Sequence, residues 1–255
     1  MRRRDAVLLS VAALMAFTLV ACGVSGGAGE TASGESDLTV LAASSLTDAF
    51  ETAGKVYEKE HPDVQVKFSF AGSQDLAAQV SQGAPADVVV TADTETMDEI
   101  KSDTGDPSVI AKNRPVMVTA EGNPQGVESL DNLADPGTKT VLAAPEVPVG
   151  KYSQEVLDNA GVQVDPVSEE PNVRAVLSKV ELGEADAGIV YATDAATAPD
   201  KVDTIAIPED DNVVASYPAA TVKGSEHPDE AAEFVQWLQG DEAQKILTDA
   251  GFDRP

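Results

Sequence analysis

An apolar run, a pair of serines and a helical pattern follow one another directly in Leu38-Thr39-Val40-Leu41-Ala42-Ala43-Ser44-Ser45-Leu46-Thr47-Asp48-Ala49-Phe50. The run from Leu38 to Ala42 is typical of a buried strand. Apolar residues from Leu46 to Tyr57 then recur at helical spacing, until Pro62 ends the pattern. This stretch therefore predicts a strand, a turn and a helix, the repeating unit of α/β proteins.

The same alternation continues to the end of the chain. Further strands are predicted over 64–70, 86–91, 140–144, 187–191, 202–207 and 213–219, with 115–119 extended; helices are predicted over 76–80, 93–101, 152–159, 172–182, 228–239 and 241–250. This order predicts an α/β fold with largely parallel sheets covered on both faces by helices. In such sheets ligands bind beyond the carboxyl ends of the strands.

Composition excludes several functions. The 255 residues include 17 Lys and Arg against 44 Asp and Glu, giving a net charge of −27. A chain this acidic repels phosphate backbones, so nucleic-acid binding through a basic face is excluded. The single cysteine cannot form an internal disulfide, and no Cys/His spacing is typical of a zinc site. We expect no cofactor.

The first residues predict the destination of the chain. Three arginines precede an apolar run from Ala6 to Ala21, the pattern of a secretory signal peptide over residues 1–21. The run ends in Leu19-Val20-Ala21-Cys22, which resembles a bacterial lipobox, so Cys22 is predicted to carry a lipid on the outer face of the cytoplasmic membrane. Residues 22–36 are small and polar, as in a flexible linker.

Four predicted strand-to-helix turns carry neutral hydrogen-bond donors. They lie at Ser44-Ser45, Gly72-Ser73, Pro148-Val149-Gly150 and Asn172-Val173. The first amides of a helix have no partner within it and carry partial positive charge, so they favour anions. Ser45, Ser73 and Asn172 could instead merely cap their helices. The four turns together predict an anion site without Arg or Lys.

At these residues the chain resembles the molybdate-binding proteins of ABC importers. The resemblance spans about residues 38–253 and keeps the order of the family's motifs. They are Leu41-Ala42-Ala43-Ser44-Ser45-Leu46, Phe70-Ala71-Gly72-Ser73, Gly83-Ala84-Pro85-Ala86-Asp87, Val147-Pro148-Val149-Gly150-Lys151-Tyr152, Asn172-Val173-Arg174 and Gly188-Ile189-Val190-Tyr191-Ala192-Thr193-Asp194-Ala195.

The resemblance implies a two-lobed type II periplasmic-binding-protein fold, in which each lobe is a mostly parallel sheet flanked by helices and crossover hinge strands join the lobes. We expect lobe I over 37–116 and 222–255 and lobe II over 117–221. The ligand would be molybdate, with tungstate as a further ligand, delivered by a monomer to an ABC permease. The implied contacts are the hydroxyls and amides of Ser45 and Ser73, the amides of Val149 and Val173, and the Tyr191 hydroxyl. Lys151 and Arg174 are expected at the cleft rim or in surface pairs.

Three alternatives remain open from the sequence. The same fold could bind another anion such as sulfate, since a tetrahedral dianion without a proton needs only donors. An extracytoplasmic serine hydrolase could use Ser45 or Ser73, although no Ser-His-Asp arrangement supports it. A structural envelope lipoprotein would bind no small anion. We expect no catalytic step, and no P-loop motif is present.

Overall fold

The computed structural model describes residues 36–255, so the predicted signal peptide, the predicted lipid-bearing Cys22 and nearly all of the linker lie outside the described residues. Ten strands are described: β1 Ser36–Ala43, β2 Val64–Ala71, β3 Val88–Val90, β4 Ser108–Asn113, β5 Pro115–Ala120, β6 Thr140–Ala143, β7 Ser168–Glu170, β8 Ala187–Tyr191, β9 Val202–Ala206 and β10 Ala215–Thr221. Eight α-helices accompany them: α1 Thr47–Glu60, α2 Ser73–Ser81, α3 Thr94–Glu99, α4 Pro148–Ala160, α5 Val173–Glu181, α6 Ala192–Ala196, α7 Pro228–Trp237 and α8 Asp241–Asp249. Among the helices of residues 36–255, none combines the length and apolarity needed to cross a membrane.

The strands form two sheets with the same plan. The first has the order β2-β1-β3-β10-β4 and the second the order β7-β6-β8-β5-β9. In the first sheet β10 runs antiparallel to both of its neighbours, and in the second β5 does so. The other four strands of each sheet therefore share one direction. The prediction of an α/β fold with two lobes and mostly parallel sheets is confirmed.

The chain passes between the sheets twice. It leaves the first sheet after β4 and enters the second at β5, with only Arg114 between them, and it returns through residues 207–214 between β9 and β10. The two antiparallel strands, β5 and β10, are thus those that directly follow a crossing. We call the parts built on the first and second sheets the first and second lobes.

The position of β10 differs from the predicted lobe boundary. That boundary gives residues 117–221 to the second lobe, whereas β10 hydrogen-bonds to β3 and β4 of the first sheet. The reason is long-range pairing: β10 fills the gap between two strands that precede it by about a hundred residues, and local periodicity carries no information on this.

The apolar core is continuous from one lobe to the other. One buried cluster contains Val40 and Phe50 of the first lobe together with Val141, Val176 and Val190 of the second. Smaller clusters lie under α3 in the first lobe and under α4 in the second. The two sheets therefore lie close together, with the carboxyl ends of β1, β2, β6 and β8 near a shared cleft.

Candidate functional site

A buried cavity lies where the carboxyl ends of strands from both lobes meet. It is narrow, and the groups around it leave little free space. All five residues predicted to bind the ligand line it, and they are Ser45, Ser73, Val149, Val173 and Tyr191. Each is less than 4% exposed. The structure therefore brings together residues that are far apart in the sequence.

Ser45 reaches the cavity from the turn after β1. The residues Ser44–Leu46 form a 3-10 helix that leads directly into α1. The Ser45 Oγ lies 2.9 Å from the Tyr217 hydroxyl oxygen. Neither the 3-10 helix nor α1 has a side-chain cap. The capping role that the sequence allowed for Ser45 is therefore wrong, and its hydroxyl lies at the cavity.

Ser73 is the first residue of α2, directly after β2. Its hydroxyl does not cap the helix. Instead its Oγ accepts a 3.0 Å hydrogen bond from the amide of Ala92. Because that bond uses a lone pair of the oxygen, the hydroxyl hydrogen of Ser73 remains available to a ligand.

Two helices of the second lobe point their amino ends at the cavity. Val149 is the second residue of α4, whose N-cap residue Val147 makes no side-chain bond to the helix. Val173 is the first residue of α5, where the Asn172 side chain accepts from the amide of Ala175 at 3.0 Å. First-turn amides have no partner within their own helix, so those of Val149 and Val173 can donate to an anion.

Tyr191 supplies the fifth group, at the end of β8. Its side chain is 1% exposed, and its hydroxyl has no hydrogen-bond partner within residues 36–255. Burial raises its pKa well above 10, so the phenol keeps its proton. A buried hydroxyl without a partner is costly, which favours a ligand as the missing acceptor.

The cavity wall is uncharged. Among the residues of the described chain that line it, none is Asp, Glu, Lys or Arg. The groups that face it are hydroxyls and helix amides, all able to donate. Such a site can bind an anion that has lost all its protons, because that anion needs donors and would be repelled by a carboxylate.

Charged side chains lie instead at the edge of the cleft and connect the lobes. Lys151 of α4 is 3.4 Å from Asp93 and 3.3 Å from Glu95, both in the first lobe. Arg174 of α5 contacts Asp48 on α1 and the buried Asp194, each at 2.6 Å.

The pairing of Lys151 and Arg174 agrees with the expectation that they form ion pairs near the rim. Sequence reasoning did not identify Asp194 as buried. Its pKa is raised to about 6 by burial, against the opposing effect of Arg174.

The geometry does not support a hydrolase. The contacts of Ser45 and Ser73 described above involve a tyrosine and a backbone amide, and no contact with a histidine is found for either hydroxyl in residues 36–255. His61 stacks on Tyr57 at the end of α1, away from the cavity. Within residues 36–255, neither serine therefore contacts a histidine that could act as the general base of a serine nucleophile.

Together, the two-lobed fold and the enclosed, donor-lined cavity between the lobes define a solute-binding protein. The chain belongs to the family described as bacterial extracellular solute-binding protein, whose model matches residues 38–253. This is a family of binding proteins, which agrees with the prediction of no catalytic step.

Two proteins of similar sequence and one of similar structure show what the chain resembles within this fold. The chain is 39% identical over 251 residues to the molybdate-binding protein ModA of Mycobacterium tuberculosis, covering 96% of each. It is 36% identical to a putative ABC transporter substrate-binding lipoprotein, YvgL, of Bacillus subtilis, covering 95% of this chain and 96% of the relative. The periplasmic molybdate-binding protein of Azotobacter vinelandii has the same fold, with a TM-score of 0.75 at 21% identity, covering 86% of this chain and 99% of that one.

Proposed function

We propose that this chain captures molybdate in the cavity between its lobes and delivers it to the permease of an ABC importer. The observation that carries the proposal is the uncharged, donor-lined cavity, whose wall contains the Tyr191 hydroxyl without a partner in the described residues. The 39% identical relative named as molybdate-binding supports the choice of ligand. Tungstate has the same shape and charge, and we propose it as a second ligand.

The donors are sufficient for tight binding. Hydroxyls and amides of Ser45 and Ser73, amides of Val149 and Val173, and the Tyr191 hydroxyl make seven hydrogen bonds to the anion. Hydrogen bonds to charged groups contribute about 1.5–3 kcal/mol each. Their sum of roughly 10–20 kcal/mol exceeds the cost of ordering and desolvation, leaving sub-micromolar affinity. The acidic surface opposes entry, but salt screens it beyond about 8 Å.

Sulfate is the second candidate ligand, because it too is a tetrahedral dianion without a proton. A thermal-shift panel with molybdate, tungstate, sulfate and phosphate separates the candidates. Ligand at about 1,000 times Kd stabilises the folded state by about 4 kcal/mol. We expect the largest shifts from molybdate and tungstate. A larger shift with sulfate than with molybdate would make sulfate the ligand. No shift with any of the four anions would overturn the proposed function.

We also propose that the chain is exported and held at the membrane through a lipid on Cys22. The support is the basic and apolar start of the sequence, with Cys22 at its end, and the relative named as a lipoprotein. Phase partitioning in a detergent that separates lipoproteins tests this, with Cys22→Ser as the control. Recovery of both forms in the aqueous phase would refute the anchor.

In this proposal the protein acts as a monomer that closes about its two crossings, Arg114 and residues 207–214. The closed pair of lobes is the form presented to the permease. Analytical ultracentrifugation with and without molybdate tests the oligomeric state, with a single species of the mass of one mature chain expected.

A further inference from the structure

Four buried polar side chains form a continuous chain from the cavity to the second lobe. Ser45 Oγ is 2.9 Å from the Tyr217 hydroxyl, which is 3.4 Å from Asn113 Nδ2, and the same nitrogen is 2.7 Å from Thr193 Oγ1. All four residues are less than 5% exposed. Tyr217 lies on β10 and Asn113 ends β4, so both belong to strands next to the crossings.

The orientation of the Asn113 amide fixes the direction of this chain. Its Oδ1 accepts a 2.9 Å hydrogen bond from the amide of Arg114, so its NH₂ group faces Tyr217 and Thr193. An NH₂ group can only donate. The oxygen of Tyr217 therefore acts as an acceptor toward Asn113. The distance of 3.4 Å makes this a weak hydrogen bond. Even so, Asn113 offers the Tyr217 hydroxyl no atom that can accept its hydrogen.

Tyr217 must then donate to Ser45. Burial raises the pKa of Tyr217 well above 10, so its proton is retained at neutral pH. The neighbouring oxygen that can accept this proton is Ser45 Oγ. Once Ser45 accepts from Tyr217, its single hydrogen is left for the cavity. Ser73 is in the same state, because its oxygen accepts from the Ala92 amide.

We propose that Tyr217, oriented by Asn113, is a positioning residue that makes Ser45 a dedicated donor and so selects oxyanions without a proton. The inference rests on the proposed function, since it concerns the same cavity. It adds two residues that do not line the cavity and were not among the predicted contacts.

The consequence concerns specificity. Hydrogenphosphate carries an O–H group that needs an acceptor, and with Tyr217 present the Ser45 oxygen is already engaged. Without the Tyr217 hydroxyl, Ser45 can rotate and accept from hydrogenphosphate. Loss of this hydroxyl should therefore weaken the binding of molybdate. It should also lower the ratio of the affinity for molybdate to the affinity for phosphate.

A double-mutant cycle tests the inference on the full-length chain. Affinities for molybdate and phosphate at pH 8 are measured by titration calorimetry for the wild type, Tyr217→Phe, Ser45→Ala and the double variant. We expect Tyr217→Phe to weaken molybdate binding about tenfold in the wild-type background and less than about twofold when Ser45 is already alanine. The ratio of molybdate to phosphate affinity should fall by about tenfold.

Tyr57→Phe is the matched control. It also removes a buried tyrosine hydroxyl from the first lobe, one without a partner in residues 36–255, but it lies away from the cavity. It should change neither affinity nor ratio. Equal effects of Tyr217→Phe with and without Ser45, or no effect at all, would show that Tyr217 does not act through Ser45.

A second variant covers the case in which Tyr217→Phe is unstable. Asn113→Asp places an acceptor beside Tyr217, which should reverse the chain so that Ser45 donates to Tyr217 and loses its hydrogen for the ligand. Its added charge also repels an anion, but that effect persists in the Ser45→Ala background. We expect Asn113→Asp to weaken molybdate binding more when Ser45 is present than when Ser45 is already alanine. Equal losses of affinity in the two backgrounds would contradict the inference.

The outcomes separate this inference from the proposed function. If the wild type binds sulfate and not molybdate, the function is wrong, and the same cycle run with sulfate still decides the role of Tyr217. If the wild type binds molybdate and the cycle shows no coupling, only the positioning role fails. Binding of none of the anions overturns both.

Discussion

Arg174 Nη2 donates a 2.6 Å hydrogen bond to Oδ2 of Asp48, joining α5 of the second lobe to α1 of the first. The same guanidinium holds the buried Asp194 through Nε, also at 2.6 Å. Arg174 directly follows Val173, which lines the cavity. The side chain therefore connects the cavity-lining end of α5 to the opposite lobe, and this contact should favour the closed arrangement.

Asp48→Asn should speed the release of molybdate with little effect on folding. The Asp48 side chain is 60% exposed, so its ion pair is worth at most about 1 kcal/mol. We expect the dissociation rate to rise about two- to fivefold at low salt. The difference should shrink in high salt, because screening weakens the wild-type pair. Stopped-flow measurement of release checks the prediction.

Asp37→Asn is the control for Asp48→Asn. The Asp37 side chain is about as exposed as that of Asp48 and forms an ion pair with Lys67, but both of these residues lie within the first lobe. Its loss should leave the dissociation rate unchanged. Similar rates for the wild type and both variants would show that the Arg174–Asp48 pair does not contribute to closure.

Asp194 gives the stability of the protein a definite dependence on pH. Burial raises its folded-state pKa to about 6, above the unfolded value of 3.8, in spite of Arg174. Between these values the folded state binds the proton and the unfolded state does not. Stability from this group is therefore fully present below pH 3.8 and is lost as the pH rises through 6.

The Asp194→Asn variant isolates this dependence from that of the other carboxylates. The free energy of unfolding of the wild type, relative to Asp194→Asn, should fall between about pH 4 and pH 6 and remain flat above. Urea unfolding of both proteins across this range is the measurement. A relative stability that rises with pH would show that the ion pair with Arg174 outweighs burial.

Ser73→Ala should affect both binding and stability. Its hydroxyl accepts from the Ala92 amide, and a buried amide left without a partner costs about 1–3 kcal/mol. The loss of a donor to the ligand should in addition weaken molybdate binding about tenfold or more. Ser81→Ala, on the exposed end of α2, should change neither quantity. Unchanged affinity in Ser73→Ala would remove Ser73 from the site.

Tyr191→Phe should separate stability from binding. Its hydroxyl has no partner among the described residues, so removing it should leave the free energy of unfolding without ligand unchanged or raise it by about 1 kcal/mol. Molybdate affinity should fall about tenfold, because a donor is lost. Denaturant unfolding measures the change in the free energy of unfolding, and titration calorimetry on the same preparation measures the change in affinity for molybdate. A less stable variant with normal affinity would contradict the ligand-binding role.

The sequence was informative where local patterns and short turns determine structure. The strand-to-helix turns at Ser45 and Ser73 and the amino ends of α4 and α5 are all at the cavity, because the carboxyl ends of parallel strands meet there. Local periodicity did not reveal β7, whose residues Ser168–Glu170 are polar and carry no apolar alternation.

Contacts between distant residues could not be predicted. Tyr217 follows Ser45 by 172 residues, and their contact depends on β10 lying in the first sheet. The ion pair between Arg174 and Asp48 likewise joins residues that are 126 positions apart and lie in different lobes. These relationships arise from long-range strand pairing and lobe packing, which short-range residue spacing does not encode.

Gly72→Ala should hinder closure of the lobes while leaving each lobe folded. Gly72 has φ −63° and ψ 142°, which alanine adopts without strain. However, an added Cβ would clash with the carbonyl oxygen of Pro171 in the second lobe and with the side-chain amide of Gln74. That oxygen also accepts a 2.9 Å hydrogen bond from Gln74 Nε2, so the clash falls on a contact that joins the lobes.

The expected result of Gly72→Ala is weaker binding of molybdate, by about tenfold or more if closure costs an extra 1.4 kcal/mol. Small-angle scattering with ligand should show a larger radius of gyration than for the wild type. Gly137→Ala is the matched control, since nothing lies within 4 Å of its added Cβ. If Gly72→Ala binds normally and closes to the wild-type size, the backbone of Pro171 can move aside, and the approach of Gly72 to Pro171 does not limit closure.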